Sequence, residues 1–151
     1  MRSLTAPKRM ICSLAFLSAV GWATQAHAQF GVGSTWVRTD LQGKGITMKL
    51  EACCNGGLRF IYQIPIPNQP AITMTVDSPM DGTDTPALVG GKPSGETMAV
   101  KRLDDHHYTA VVKMSGKPFG TSNGTVSADG KTLTVESIML AGKVIETWVR
   151  E

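Results

Sequence analysis

The sequence lacks the features typical of a membrane helix or of several familiar enzyme classes. Its longest mostly apolar stretch, Met10 to Ala23, is shorter than the roughly 20 residues of a membrane-spanning helix. Neither an H-E-x-x-H metalloprotease motif nor a phosphate-cradling loop is present. Ser115, His106 and Asp105 contain the residue types of a hydrolase triad, but nothing in their spacing supports one. We therefore predict no catalytic residue, no cofactor and no metal site.

An excess of basic charge is also lacking once the first residues are set aside. The formal net charge of +3 comes from Arg2, Lys8 and Arg9, and the rest of the chain carries 12 basic and 12 acidic residues. A balanced charge with scattered basic residues excludes the electrostatic footprint of a nucleic-acid-binding protein. For the same reason it predicts no anionic membrane partner.

The first 28 residues have the layout of an export signal. The basic residues precede the apolar stretch, and Ala26-His27-Ala28 is an A-x-A cleavage site. We predict cleavage after Ala28, a periplasmic or secreted product, and a single domain over residues 29–151. A domain of that length can bury a core of its own, and a monomer is expected.

Cysteine is scarce after the signal, where only Cys53 and Cys54 remain. Neighbouring Cα atoms lie about 3.8 Å apart, below the range of ordinary disulfides. The pair is therefore a strained vicinal disulfide, two free thiols in a turn, or a cross-link to another chain. A metal site is not predicted, because no second cysteine or histidine motif accompanies the pair.

Alternation of apolar and polar residues dominates the second half of the chain, from Glu96 to Arg150. Side chains of a strand alternate between its two faces, so this pattern predicts half-buried β-strands. Turn-forming residues separate the runs, and Asp129-Gly130 is the strongest hairpin signal among them. The turns recur roughly every 12 residues, as in all-β sandwiches and barrels.

The whole mature chain is predicted to be all-β. Consecutive strands usually pair, and closure removes exposed sheet edges, which favours an up-and-down antiparallel β-barrel of about eight strands. A two-sheet sandwich is the alternative. Residues 65–70 and 78–95 are rich in proline and glycine and are predicted to be mostly loop, apart from a brief strand at 87–89.

Several segments resemble a group of small exported bacterial lipocalin-like proteins of unknown function. They are Gly33 to Trp36, Asp81 to Pro86, Val100 to Asp105 and, most specifically, Val126 to Val135. The resemblance implies a lipocalin-like barrel closed at one end by Trp36 and Arg150 as a cation–π pair, and it implies ligand binding. The spacing of Gly33 and Trp36 is one residue longer than in lipocalins proper, and their long C-terminal helix is absent.

Five residues on the predicted inner faces are candidate ligand contacts. Tyr hydroxyls can orient a ligand inside an apolar pocket, and methionines adapt to varied apolar shapes. Ordinary core packing would place the same residues inside without any ligand. The candidates are Tyr62, Met74, Met98, Tyr108 and Met114.

The densest group of titratable residues is Asp104-Asp105-His106-His107. It has the residue types for a divalent ion or for acid–base chemistry. The alternative is a hairpin turn followed by a strand, in which His106 and His107 point to opposite faces and cannot share one ion.

The sequence thus predicts an exported barrel that binds a small apolar or amphipathic molecule. Eight strands enclose room for side chains or for one small ligand. A structural or envelope-interaction protein with a filled core, using its 65–70 and 78–95 loops as contact surfaces, is one alternative. A barrel-cavity isomerase or cyclase is the other. The interior of the barrel distinguishes the three hypotheses.

Overall fold

A computed structural model describes residues 30–151, and within that range the protein is entirely β-sheet and turn. The predicted signal peptide, residues 1–28, lies outside the described residues. The described part forms ten strands. They are β1 Thr35–Arg38, β2 Thr47–Cys53, β3 Gly57–Ile66, β4 Gln69–Ser78, β5 Asp81–Val89, β6 Lys92–Arg102, β7 His107–Met114, β8 Lys117–Val126, β9 Thr132–Met139 and β10 Gly142–Arg150.

Each strand pairs antiparallel with the next, and β1 pairs with β10 to close the barrel. The register at the seam places Trp36 opposite Arg150 and Arg38 opposite Trp148. This confirms the predicted up-and-down antiparallel barrel over the sandwich. The barrel has ten strands where about eight were expected, and most residues of the two proline-rich segments belong to strands.

The first of these segments, residues 65–70, forms the tip of the β3–β4 hairpin. The register shifts between Ile64 and Ile66, so Pro65 lies at a bulge where it does not interrupt the ladder. Asn68 turns the chain with a φ of 60°, a left-handed conformation that Asn tolerates. The expectation of a loop was wrong here because proline disrupts a strand interior but not a bulge.

The second segment, residues 78–95, contains β5 and the start of β6. The register shifts beside Pro86, and Gly90 and Gly91 connect the strands with φ values of 58° and 80°. Two positive φ values in succession are what a two-residue type I′ hairpin turn requires. The Gly-Gly pair therefore forms a two-residue hairpin turn. Most of the segment that was expected to be loop belongs to β5 and β6.

The up-and-down order gives the barrel two distinct ends. We call the end where odd-numbered strands finish the open end, and the opposite end the closed end. The open end carries the connections 39–46, 67–68, 90–91, 115–116 and 140–141. The closed end carries the connections 54–56, 79–80, 103–106 and 127–131.

Phe30 and the residues after it fill the closed end. The Phe30 ring stacks on Tyr108 with 4.7 Å between centroids and lies 5.9 Å from the Phe60 ring. Its carbonyl accepts a hydrogen bond of 3.2 Å from the Arg102 guanidinium. Trp36 is completely buried beside it. The inner core therefore begins at this end of the barrel.

Cys53 and Cys54 form a disulfide at the closed end, where β2 turns into β3. This is the vicinal form among the alternatives that the sequence left open. The turn takes positive φ at Cys54 and Asn55. The bond closes no loop of intervening residues, so it constrains only the turn itself.

Candidate functional site

A cavity of about 290 Å³ occupies the half of the barrel nearer the open end. Phe119 lines it and is partly exposed at the rim, so the cavity reaches the surface there. Most of the wall is apolar. Its larger apolar residues include Met48, Phe60, Met74, Met98, Val135 and Trp148.

Small inward-facing residues on β7, β8 and β9 leave room for the cavity. Ser122 on β8 lines it, whereas the space over Gly120 is taken by the Met139 side chain. Ala110 on β7 and Ser137 on β9 lie opposite Ser122 and are small as well. A wall of small side chains leaves a void that the larger residues across the barrel do not fill.

Gly124, also on the inner face of β8, accommodates the ring of Tyr108. The two residues are direct partners across β7 and β8. A Cβ on Gly124 would lie 2.1 Å from a carbon of that ring. The absence of a side chain at this position therefore lets Tyr108 lie against the strand and stack on Phe30.

Four of the five predicted ligand contacts line the cavity: Tyr62, Met74, Met98 and Tyr108. They come from four different strands, and the alternation of apolar and polar residues alone predicts that they face inward. Met114 does not line it and is exposed at the end of β7. The alternation placed Met114 on the inner face, but the strand ends at the rim and the β7–β8 register shifts just before it.

Burial raises the pKa of both tyrosines that line the cavity. For Tyr62 the nearby carboxylates of Glu146 and Glu96 add to the effect. For Tyr108 the second largest contribution to the raised pKa is the electrostatic interaction with Tyr62. Among the described residues no side-chain oxygen or nitrogen is both sealed from solvent and without a hydrogen-bond partner. The two hydroxyls stay protonated at neutral pH and can donate a hydrogen bond.

A charged cluster lies at the open end around Arg38. Its Nε and Nη2 donate to the two carboxylate oxygens of Asp40 at 2.7 and 3.0 Å. Its Nη1 lies 3.2 Å from Glu146 Oε1, and its Cζ lies 6.0 Å from the centre of the Trp148 ring. The hydrogen bond from Arg38 is the main cause that lowers the pKa of Asp40 to about 2. The guanidinium is therefore fully engaged by groups of the protein.

Gly43 is needed for this arrangement. It lies in the buried part of the β1–β2 connection, and a Cβ there would approach Arg38 Nε to 2.1 Å. Glu146 is held in turn by the indole N–H of Trp148, which donates to its Oε2 at 3.1 Å. The cluster was not predicted, since its members are far apart in sequence.

Glu96 is the other carboxylate of the cavity wall. None of the ion pairs in the described part of the chain involves it. Burial raises its pKa. The site thus combines three carboxyl groups, of Asp40, Glu146 and Glu96, with one guanidinium, of Arg38.

The predicted pair of Trp36 and Arg150 lies at the β1–β10 seam as register partners. Trp36 is fully buried, and its indole N–H donates to Ser34 Oγ at 2.9 Å. Arg150 is exposed at the closed end. The cation–π geometry at this seam is found two register pairs along, between Arg38 and Trp148.

Residues 120–124 match the G-x-S-x-G pattern of serine hydrolases, which was missed at the level of sequence. In hydrolases that serine stands on a sharp turn between a strand and a helix. Here Ser122 lies in the middle of β8, and its Oγ is 2.7 Å from Ser137 Oγ. The motif therefore does not form a nucleophile elbow.

The Asp104-to-His107 group forms a turn at the closed end, away from the cavity. Asp104 Oδ1 accepts hydrogen bonds from the backbone N–H of His106 at 2.7 Å and of His107 at 2.8 Å. The His106 ring contacts the carbonyl of Val126, and the His107 ring contacts Asp104. The two rings thus have separate partners, as the turn hypothesis expects.

One further group of potential metal ligands consists of Cys53, Cys54 and Asp77, whose ligand atoms lie within 4.8 Å of one another. The two sulfurs are bonded to each other, and Asp77 accepts two hydrogen bonds from Arg59 at 2.6 and 2.7 Å. The two sulfurs are thus engaged with each other and the Asp77 carboxylate with Arg59, so the group does not form a free metal site.

Comparison of the chain with protein-family models, curated proteins and solved structures finds no match. The resemblance to exported lipocalin-like proteins thus stays a prediction. In residues 30–151 there is no helix long and apolar enough to cross a bilayer.

Proposed function

We propose that this protein is an exported carrier that binds one small apolar or amphipathic molecule in the barrel cavity. The single observation that supports the proposal best is the cavity itself, which is mostly apolar and reaches the surface at the open end. Pockets for small molecules are usually about 300–1,000 Å³ and mostly apolar, with a few placed polar groups. This cavity is at the lower end of that range, so the ligand is small.

The charges of the site indicate the polar end of the ligand. Arg38 already binds Asp40 and Glu146, so it does not offer a free cation to a ligand carboxylate. Glu96 lines the cavity, and both tyrosine hydroxyls can donate. A neutral or cationic polar group fits this environment, and an anionic group would meet like charge.

Titration with amphiphiles of one alkyl chain and three head groups tests the proposal. Trp148 lines the cavity and reports occupancy by its fluorescence, whereas Trp36 is buried at the closed end. We expect saturable binding of the alcohol and the amine at one site. The carboxylate should bind at least about tenfold more weakly, a difference of about 1.4 kcal/mol.

The fluorescence change should persist in Trp36→Phe and be lost in Trp148→Phe. Calorimetry of the Trp148→Phe protein then confirms that binding itself remains. Absence of saturable binding for all three amphiphiles, with the barrel folded by circular dichroism, would contradict the proposal. It would favour the structural or envelope-interaction alternative.

A specific observation also supports a second candidate, an enzyme of the isomerase or cyclase type. A carboxyl group with a raised pKa in an apolar cavity, as for Glu96, is a typical general acid or base. Mass spectrometry of a bound unsaturated amphiphile distinguishes the two functions. Recovery of the unchanged molecule supports a carrier, and an isomer formed by the wild type but not by Glu96→Gln supports an enzyme.

A further inference from the structure

The two ends of the barrel carry opposite charge. Of the five open-end connections, four contain a lysine or have one within two residues of them: Lys44, Lys92, Lys113, Lys117 and Lys143. By the same rule the closed-end connections have five aspartates against three basic residues: Asp77, Asp81, Asp104, Asp105 and Asp129 against Lys101, Arg102 and Lys131. The chain is neutral after its signal, but the fold separates its charges.

The acidic groups near the open end lie in an ion pair or on the cavity wall rather than on the rim. Asp40 is bound by Arg38, while Glu96 and Glu146 lie inside on the cavity wall. Lys143 pairs with Glu136, and Lys113 pairs with Asp84. The other three are exposed, and none of the ion pairs of the described residues involves them. These three are Lys44, Lys92 and Lys117.

Large apolar side chains project at the same end. Leu41 is 97% exposed in the β1–β2 connection, and Leu140 is 81% exposed in the β9–β10 connection. The backbone N–H of Leu140 donates to the carbonyl of Phe119 at 3.2 Å, so these two residues are neighbours on the rim. Phe119 is partly exposed and also lines the cavity. Leu140 therefore lies next to the cavity mouth, and Leu41 projects from another connection at the same end.

We propose that the open end docks on an anionic lipid bilayer, with the Leu41 and Leu140 side chains inserted and the three unpaired lysines over the head groups. The inference rests on the proposed function, since it names the surface from which the cavity takes its ligand. Lysines near an anionic surface and apolar side chains at the boundary are the two contributions that hold peripheral proteins on membranes.

Docking in this orientation gives an apolar ligand a direct path between the bilayer and the cavity. The cavity mouth faces the lipid, so the molecule moves between bilayer and barrel without crossing water. The aspartates of the closed end point away from the membrane, so the charge separation also orients the barrel.

The test is sedimentation with vesicles, using protein that begins at residue 29 and so contains every strand of the barrel. We expect partition onto phosphatidylcholine vesicles containing phosphatidylglycerol, little partition onto pure phosphatidylcholine, and release at about 1 M salt. Replacing Lys44, Lys92 and Lys117 together with Gln should lower partition about 100-fold, at about fivefold for each lysine.

Two further variants make the test specific for the open end. Leu41→Ser with Leu140→Ser should lower partition by about tenfold or more, because exposed apolar contact with the bilayer is lost. Leu103→Ser with Lys131→Gln changes an exposed leucine and a lysine at the closed end and should leave partition unchanged. Equal losses from both ends, no loss from the open-end variants, or no preference for anionic vesicles would overturn the inference.

A cavity variant separates this inference from the proposed function. Ser122→Leu fills the interior without altering the rim, so it should lose amphiphile binding in solution and keep vesicle binding. A wild-type barrel that binds amphiphiles in solution but no vesicles contradicts the docking surface alone. One that binds vesicles but no amphiphile contradicts the carrier function and, with it, the role that we give to docking.

Discussion

The hydroxyl oxygens of Ser122 and Ser137 lie 2.7 Å apart across β8 and β9, on the inner face of the barrel. Both residues are buried and line the cavity. A strand interior rich in valine or leucine would fill this volume. The serine pair satisfies its own hydrogen bonds and thereby keeps a polar patch in the wall without needing a ligand or a water.

Replacing Ser122 with Leu should abolish or strongly weaken ligand binding. The larger side chain occupies the cavity, and a ligand that still entered would overpack the interior at a cost of about 1–3 kcal/mol. We expect at least about a tenfold loss of amphiphile affinity by calorimetry. Thr121→Leu on the outer face of the same strand is the matched control, and an equal loss there would show that the cavity is not the site.

The affinity for a cationic amphiphile should depend on pH through Glu96. Burial raises the pKa of Glu96, so its carboxylate is lost at a higher pH than that of an ordinary glutamate as the pH falls. Affinity for the amine should therefore decrease as the pH is lowered, and the decrease should begin above the usual carboxyl range. Affinity for the alcohol should change little.

Glu96→Gln isolates this carboxylate from its neighbour Glu146, which remains in both proteins. We expect the variant to bind the amine at pH 7 as weakly as the wild type does at low pH, with a flatter pH dependence. An unchanged pH profile in Glu96→Gln would assign the effect to Glu146 or exclude a charge contact with the ligand.

Asp40 should contribute more stability than Asp77, although both accept two hydrogen bonds from an arginine. The Arg38 and Asp40 side chains are 12% and 17% exposed, whereas those of Arg59 and Asp77 are 46% and 45% exposed. Asp40→Asn should lower the free energy of unfolding by about 1–3 kcal/mol. Asp77→Asn should lower it by less than about 1 kcal/mol, as for exposed pairs.

The pH dependence of the Asp40 effect has a defined sign. Its pKa in the folded protein is lowered to about 2, so its contribution is complete at neutral pH. The contribution is lost as the pH falls from the usual carboxyl value toward about 2. Urea unfolding of the wild type and Asp40→Asn should therefore converge at that pH. A difference in unfolding free energy between the two proteins that does not change with pH would show that the Asp40→Asn effect comes from packing and not from charge.

Gly124→Ala should destabilise the barrel through Tyr108. The added Cβ would meet the ring, and displacement of the ring also disturbs its stacking on Phe30. We expect a loss of about 1–3 kcal/mol in chemical denaturation. Asn123→Ala, the exposed neighbour on β8, should cost much less.

A double-mutant cycle tests whether the ring is the cause. In a Tyr108→Ala background the same Gly124→Ala change should cost far less, because the group that it displaces is gone. Equal costs in both backgrounds would place the effect in the backbone of β8 rather than in the contact between the two residues.

The sequence by itself determined the all-β class, the antiparallel meander and most of the inner face. These follow from the two-residue alternation of side chains and from local turn chemistry. The alternation alone predicts that Tyr62, Tyr108 and Met74 face inward. The same rule failed for Met114 at a strand end. The strand ends within 65–70 and most of β5 in 78–95, beyond the brief strand expected at 87–89, were missed because proline was judged without the bulges that accommodate it.

Only the tertiary structure decided what those faces enclose and which residues meet. Arg38, Asp40 and Glu146 come together because β1 and β10 close the barrel, although the segments are more than 100 residues apart in sequence. Which end a turn occupies depends on the order of every strand before it. The lysines, scattered along the chain, therefore form one basic rim only after the meander has closed.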